Sequence, residues 1–137
     1  MAYDLFSTDW AQAWRKAIEA SAAIKASRGW RWPLVLIARG AGVIEDRAVW
    51  LDLCDGECRE ARVATAADLA EAPFVLSADL EVWQRLLDRA LEPIAGVMKG
   101  QLKLVRGSLA ALLPYAAAAK ELVSAATAVP TRFPERV

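Results

Sequence analysis

Pro93-Ile94-Ala95-Gly96-Val97-Met98-Lys99-Gly100-Gln101-Leu102-Lys103-Leu104-Val105-Arg106-Gly107 reads as two elements joined by a glycine. Proline suits the first turn of a helix, where its missing N–H would have no partner anyway, so a short helix is predicted over Ile94 to Met98. Gly100 stops it. Gln101 to Val105 then alternates polar and apolar, the period of a half-buried strand, and Gly107 closes it. A helix feeding a strand this late in the chain points to mixed α and β structure.

Working upstream, Phe74-Val75-Leu76-Ser77-Ala78 follows Pro73 as another strand. Asp79 is placed to cap a helix whose inner stripe is Val82, Trp83, Leu86, Leu87 and Ala90. Thr65 to Ala72 is rich in alanine and acid and reads as a loop or a single helical turn. Val49, Leu51 and Leu53 alternate with Trp50 and Asp52, Asp55-Gly56 is a hairpin signal, and Glu57 to Val63 returns as a strand with Ala61 and Val63 facing in. Leu34 to Ala38 is the first strand. Before it, Trp10, Ala13, Trp14, Ala17, Ile18, Ser21 and Ile24 form one stripe of a helix of about five turns. Ser7, Thr8 and Asp9 offer cap oxygens, Asp9 and Gln12 have capping-box spacing, and Gly29 ends the helix.

Downstream, Ser108 caps a helix that Pro114 interrupts, and Tyr115 to Ala126 supplies the last amphipathic helix. The longest apolar stretch, Leu109 to Ala119, is too short to span a bilayer. Strands and helices do not alternate strictly, which disfavours a fully parallel sheet. The expected fold is α/β in the α+β sense: a five-stranded, mostly antiparallel mixed sheet with helices on one face. No repeat or linker interrupts it, so residues 1–137 are expected to form one domain.

The chain has 137 residues, 56% of them hydrophobic and 25% charged, with zero formal net charge. That balance argues against a dedicated nucleic-acid binder. Residues 1–82 carry nine basic and thirteen acidic side chains, residues 83–137 eight and four. A basic rim facing an anionic group or a membrane surface is one reading of this split; a solvated surface is the other. Cys54 and Cys58, with no histidine anywhere, cannot complete a zinc site. A hairpin could bring their sulfurs close, but for a cytoplasmic protein, the expectation here, two free thiols are favoured.

The passage from Pro93 to Gly107 resembles the helix–Gly–strand–Gly segment of the sterol-carrier-protein-2 family, with Gln101 where the family form has a lysine. Val49-Trp50-Leu51-Asp52-Leu53-Cys54-Asp55-Gly56 is similar to the family's aromatic-containing strand and turn. Asp79 with Trp83, Leu86 and Leu87 is similar to its acidic cap and apolar helix. The resemblance covers residues 10–125 in element order and is sharpest over 47–113; Pro114 and the Ala116–Ala119 run depart from it. It implies a five-stranded sheet with helices and non-catalytic binding and carriage of a lipid-like ligand: a fatty acid, acyl-CoA, sterol or isoprenoid. An accessory module presenting a lipophilic intermediate to partner enzymes is the alternative. No cofactor is implied.

A lipid site needs apolar wall that the core does not fill; each buried methylene is worth about 0.8 kcal/mol. The candidates are Trp83, Leu86, Leu87, Ile94, Val97, Met98, Leu102, Leu104, Leu109, Leu112, Leu113 and Leu122. Singly, each is an ordinary core residue; the claim attaches to the cluster. Arg85, Arg89, Lys99, Lys103 and Arg106 are the candidates for contacting a lipid head group, against the equal reading of a solvated strand edge. Of six tryptophans, Trp10 and Trp14 fall on the inner stripe, Trp50 on the outer sheet face, and Trp30 and Trp32 are expected as a partly exposed pair suited to a membrane surface. Catalysis has little support: there is no Ser-His or Cys-His pair, and Gly40-Ala41-Gly42 is too short for a phosphate loop. Glu92 and Tyr115 would be the acid–base candidates.

Overall fold

The computed structural model describes residues 2–21, 29–31, 33–40, 44–55 and 57–133. In chain order the elements are β1 (Tyr3–Asp4), α1 (Thr8–Glu19), β2 (Pro33–Arg39), β3 (Arg47–Cys54), β4 (Glu57–Val63) and α2 (Ala66–Glu71). There follow β5 (Phe74–Asp79), α3 (Leu80–Leu87), α4 (Pro93–Met98), β6 (Lys103–Arg106), α5 (Leu109–Leu112), a 3-10 turn (Leu113–Tyr115), α6 (Ala116–Thr127) and β7 (Thr131–Arg132).

Five strands form one mixed sheet in the order β4-β3-β2-β5-β6. The central pair β2–β5 is parallel and the other three pairings are antiparallel. Strand parity sorts the side chains. Leu34, Leu36, Val49, Leu51, Leu53, Phe74 and Leu76 face one large core together with α1, α3, α4 and α6. Val35, Val75, Ile37, Ala48 and Trp50 face the other way, where the short α2 brings Leu69 onto them. The outer placement of Trp50 follows from its parity, and the Arg62 guanidinium lies 5.2 Å from its ring centre.

Several local expectations are revised. Ser7 caps α1, accepting from the Trp10 amide at 3.2 Å, whereas Gln12 donates to the Ala61 carbonyl and forms no box with Asp9. The helix ends at Glu19; Ile24 lies outside the described residues, as do Trp32, Gly42 and Gly56. Of the two readings of Thr65 to Ala72 the helical one holds and is longer than one turn: Ala66–Glu71 is a helix, α2, held by a capping box between Thr65 and Asp68. Asp79 occupies the cap position of α3 without a capping bond; its carboxylate sits 3.2 Å from the Arg39 guanidinium instead. Ala61 is buried, but Val63, at the open end of the edge strand β4, is exposed.

Cys54 and Cys58 are both free. A register shift between Asp52 and Leu53 sets Cys58 opposite Leu53 on the core face, while Cys54 pairs with Glu57. The two sulfurs therefore point to opposite sides of the hairpin. Burial pushes the Cys58 thiol up to about 11.

The first and last described strands meet. β1 and β7 pair in parallel over two residues, and the Trp10 indole donates to Thr131 Oγ1 at 2.8 Å. Leu109 to Thr127 is a 19-residue, nearly continuous helical run, longer than the apolar stretch suggests and long enough to cross a membrane by length and composition. Its inner residues Leu112, Ala118, Leu122, Ala125 and Ala126 are buried within the fold.

Candidate functional site: an apolar cavity under the helices

Between the inner face of the sheet and the helices lies a cavity of about 70 Å³. The sheet contributes Leu34, Leu36, Leu51 and Leu76 as its floor. α1 supplies Trp14, α3 supplies Trp83 and Leu86, and the segment before β2 supplies Trp30. The roof is Pro93, Ile94 and Val97 from α4, Leu102 beyond it, Leu112 from α5, and Ala119, Leu122 and Val123 from α6. Every lining side chain is apolar, and none is ionisable.

The elements that build this wall do so for reasons readable one by one. α4 can start directly after its cap residue Glu92 because Pro93 occupies its first position. Gly96 is buried where a Cβ would come within 3.4 Å of Leu91 and Leu102, which lets α4 approach closely. Gly107 adopts φ +97°, and a Cβ there would strike the Phe74 ring at 2.4 Å, so this glycine sets the close exit from β6. The indoles are fixed by their N–H groups: Trp83 Nε1 donates to the Ile37 carbonyl at 2.9 Å and Trp14 Nε1 to the Leu122 carbonyl at 3.0 Å.

Of the predicted wall residues, Trp83, Leu86, Ile94, Val97, Leu102, Leu112 and Leu122 come together around the cavity. Leu87 and Leu104 pack against the core without reaching the cavity. Leu109 is half-buried and is no part of the lining. Met98, 70% exposed, and Leu113, 50% exposed, turn to solvent, since each follows a residue (Val97, Leu112) whose side chain faces in. Successive helical positions lie about 100° apart, which carries these two side chains away from the cavity.

Sequence reasoning missed the strand leucines, Trp14, Trp30, Pro93, Ala119 and Val123. The leucines carried their signal in strand parity. Trp14 was legible as core, though not as wall. Trp30 corrects the expectation of an exposed pair with Trp32: it is 2% exposed, edge-on to Tyr115 at 5.2 Å and tilted against Phe74 at 6.3 Å.

The basic candidates do not converge. Arg106 donates through Nη1 to the carbonyls of Leu69, Ala70 and Ala72, closing the end of α2 on the outer sheet face. Lys103 pairs with Ser77, opposite in parity to the cavity-facing Leu76. Lys99 is exposed at the end of α4 and Arg85 is half-buried; neither lines the cavity. Arg89 alone among them lines a neighbouring pocket. Of the two acid–base candidates, Glu92 is exposed and paired with Lys120, and the Tyr115 hydroxyl donates to the Gly29 carbonyl at 3.0 Å.

Comparison with known proteins agrees with this geometry. A profile of the SCP-2 sterol transfer family matches residues 10–120. A crystal structure of a sterol carrier protein 2 superposes with a TM-score of 0.82 at 42% identity, covering 92% of this chain and 99% of that one. The solution structure of a conserved hypothetical protein of Thermus thermophilus, suggested to be a sterol carrier, gives 0.82 and 42% over 96% and 94%. The apo form of sterol carrier protein 2 from Yarrowia lipolytica shares the fold at 18% identity, with a TM-score of 0.51 over 87% and 80%. No curated protein sequence matches significantly. With its mixed five-stranded sheet and helix-roofed apolar cavity, the chain belongs to the SCP-2 sterol transfer family.

Proposed function

We propose that residues 1–137 act as one lipid-binding domain that takes a fatty acyl, sterol or isoprenoid group into the cavity and carries it without chemical change. The observation behind this reading is the cavity's lining, apolar throughout and walled by three tryptophans and four strand leucines. Such a surface rewards transfer of hydrocarbon from water and offers nothing to a polar ligand. Family membership points the same way.

The cavity measures about 70 Å³, well below the roughly 300–1,000 Å³ typical of ligand pockets, so a long chain enters only if the walls part. α4 is the segment suited to yield. It has six residues, and it is bounded by the turn at Arg89, with φ +61°, and by Gly100, with φ +75°.

The test is a titration of the chain with cis-parinaric acid and dehydroergosterol, read by energy transfer from tryptophan. Binding of at least one probe is expected. Ala119→Leu puts a branched alkyl group into the cavity and should weaken that binding by about tenfold or more while the protein stays folded. Absence of binding to either probe, or binding indifferent to Ala119→Leu, would remove the carrier reading.

A further inference from the structure

The cavity has a neighbour of different chemistry. A pocket of about 130 Å³ shares Leu86, Pro93 and Val123 with it as common walls. Its other lining includes Arg89, Glu92, Lys120 and Ser124.

Two cations, with Glu92 and Ser124, thus line a pocket that adjoins a carbon-lined cavity. Arg89 is held by its backbone, at φ +61°, in the left-handed region that non-glycine residues rarely occupy. Its guanidinium donates to Thr127 Oγ1 at 3.0 Å, which anchors it to α6 beside Ser124. Lys120 lies 3.7 Å from Glu92, with both side chains about two-thirds exposed. A pair so hydrated holds its partners weakly, and Lys120 can exchange it for another anion. Glu92 balances one of the two cations, leaving this pocket net positive.

We propose that this pocket receives the carboxylate of a fatty-acid-type lipid whose hydrocarbon lies in the adjoining cavity, with Arg89 and Lys120 as its cationic contacts. The inference rests on the cavity being the lipid site, and it narrows the ligand from any lipid to one ending in a carboxylate. Guanidinium and ammonium donors favour an ionised carboxylate over a neutral hydroxyl, because charge-assisted hydrogen bonds are the stronger kind. A sterol or an alcohol of equal length gains the same hydrocarbon burial but not this contact.

Tryptophan-fluorescence titrations of the full chain with palmitate and with cetyl alcohol separate the two claims. Wild-type protein is expected to bind palmitate about tenfold tighter than the alcohol at neutral pH. The double variant Arg89→Asn, Lys120→Gln should lose about tenfold for palmitate while cetyl alcohol stays within about twofold. Asparagine tolerates the left-handed backbone, and unchanged alcohol binding reports an intact fold. Lys120→Gln alone, on an exposed side chain, should give a partial loss of about threefold. Equal wild-type affinities, or losses shared by both ligands, overturn the carboxylate site while leaving the cavity standing. If neither ligand binds, the carrier reading falls too.

Discussion

Trp14 and Leu122 are joined across the cavity: the indole Nε1 of the first donates to the backbone carbonyl of the second at 3.0 Å, and both side chains line the wall. The bond ties α1 to α6, elements 108 residues apart. It satisfies a buried indole N–H and fixes the ring as wall at the same time.

Trp14→Phe removes that donor and part of the ring volume. A loss of about 1–3 kcal/mol in stability is expected, from the missing hydrogen bond and the enlarged void. Urea unfolding followed by circular dichroism measures it, and an unchanged midpoint would show that the contact adds nothing net.

Asp68 ties β4 to α2. Its carboxylate accepts from the Arg62 guanidinium and, at 2.7 Å, from the Thr65 amide. The Arg62 guanidinium first, and the Thr65 bonds after it, hold this carboxyl down to about 2. A lowered folded-state value means that the contribution is whole above the unfolded value, near about 4, and is lost as pH falls through about 2. Asp68→Asn should therefore cost about 1–2 kcal/mol at neutral pH, discounted because Arg62 is partly in solvent, and almost nothing near pH 2. Unfolding midpoints of both proteins at the two pH values decide this. A gap independent of pH would refute it.

The thiols should differ in reactivity. Cys58 is buried, its Sγ donates to the Glu60 carbonyl, and burial pushes it up to about 11, so almost none is thiolate near neutral pH. Cys54 is half-buried and faces the other side. A disulfide reagent such as DTNB should modify Cys54 readily in the native protein and Cys58 only after denaturant is added. Equal native rates, or no reaction even when unfolded, would contradict this arrangement.

Much of the fold was legible before any coordinates. The alternation of Val49, Leu51 and Leu53 against Trp50 and Asp52 determined which side of β3 meets the core, and the structure follows it. Pro93, Gly100 and Gly107 marked the bounds of α4 and β6 because each restricts or frees the backbone locally. α2 was harder to see, since a six-residue helix held by Thr65 and Asp68 has too few turns to show a stripe. The pairing of Tyr3–Asp4 with Thr131–Arg132 was invisible: two residues per strand carry no period.

At the site, the wall was half legible. Seven predicted side chains line the cavity; six of them do so because helix stripes point inward by their own spacing, and Leu102 lies between α4 and β6. Met98, Leu113 and Trp30 fell on the wrong side, and Arg106 turned to α2, because composition says that a residue is apolar or basic but not what stands opposite it.

By itself, then, the sequence determined the kind and order of the longer elements, the faces of the strands and the family. These depend on caps, breakers and periodicities within a few residues of one another. Only the tertiary structure decided where packing leaves space, that Trp30 closes it, and that Arg89, in the turn after α3, and Lys120, on α6, line the pocket beside it. Those outcomes depend on the approach of elements far apart in the chain, which no local pattern encodes.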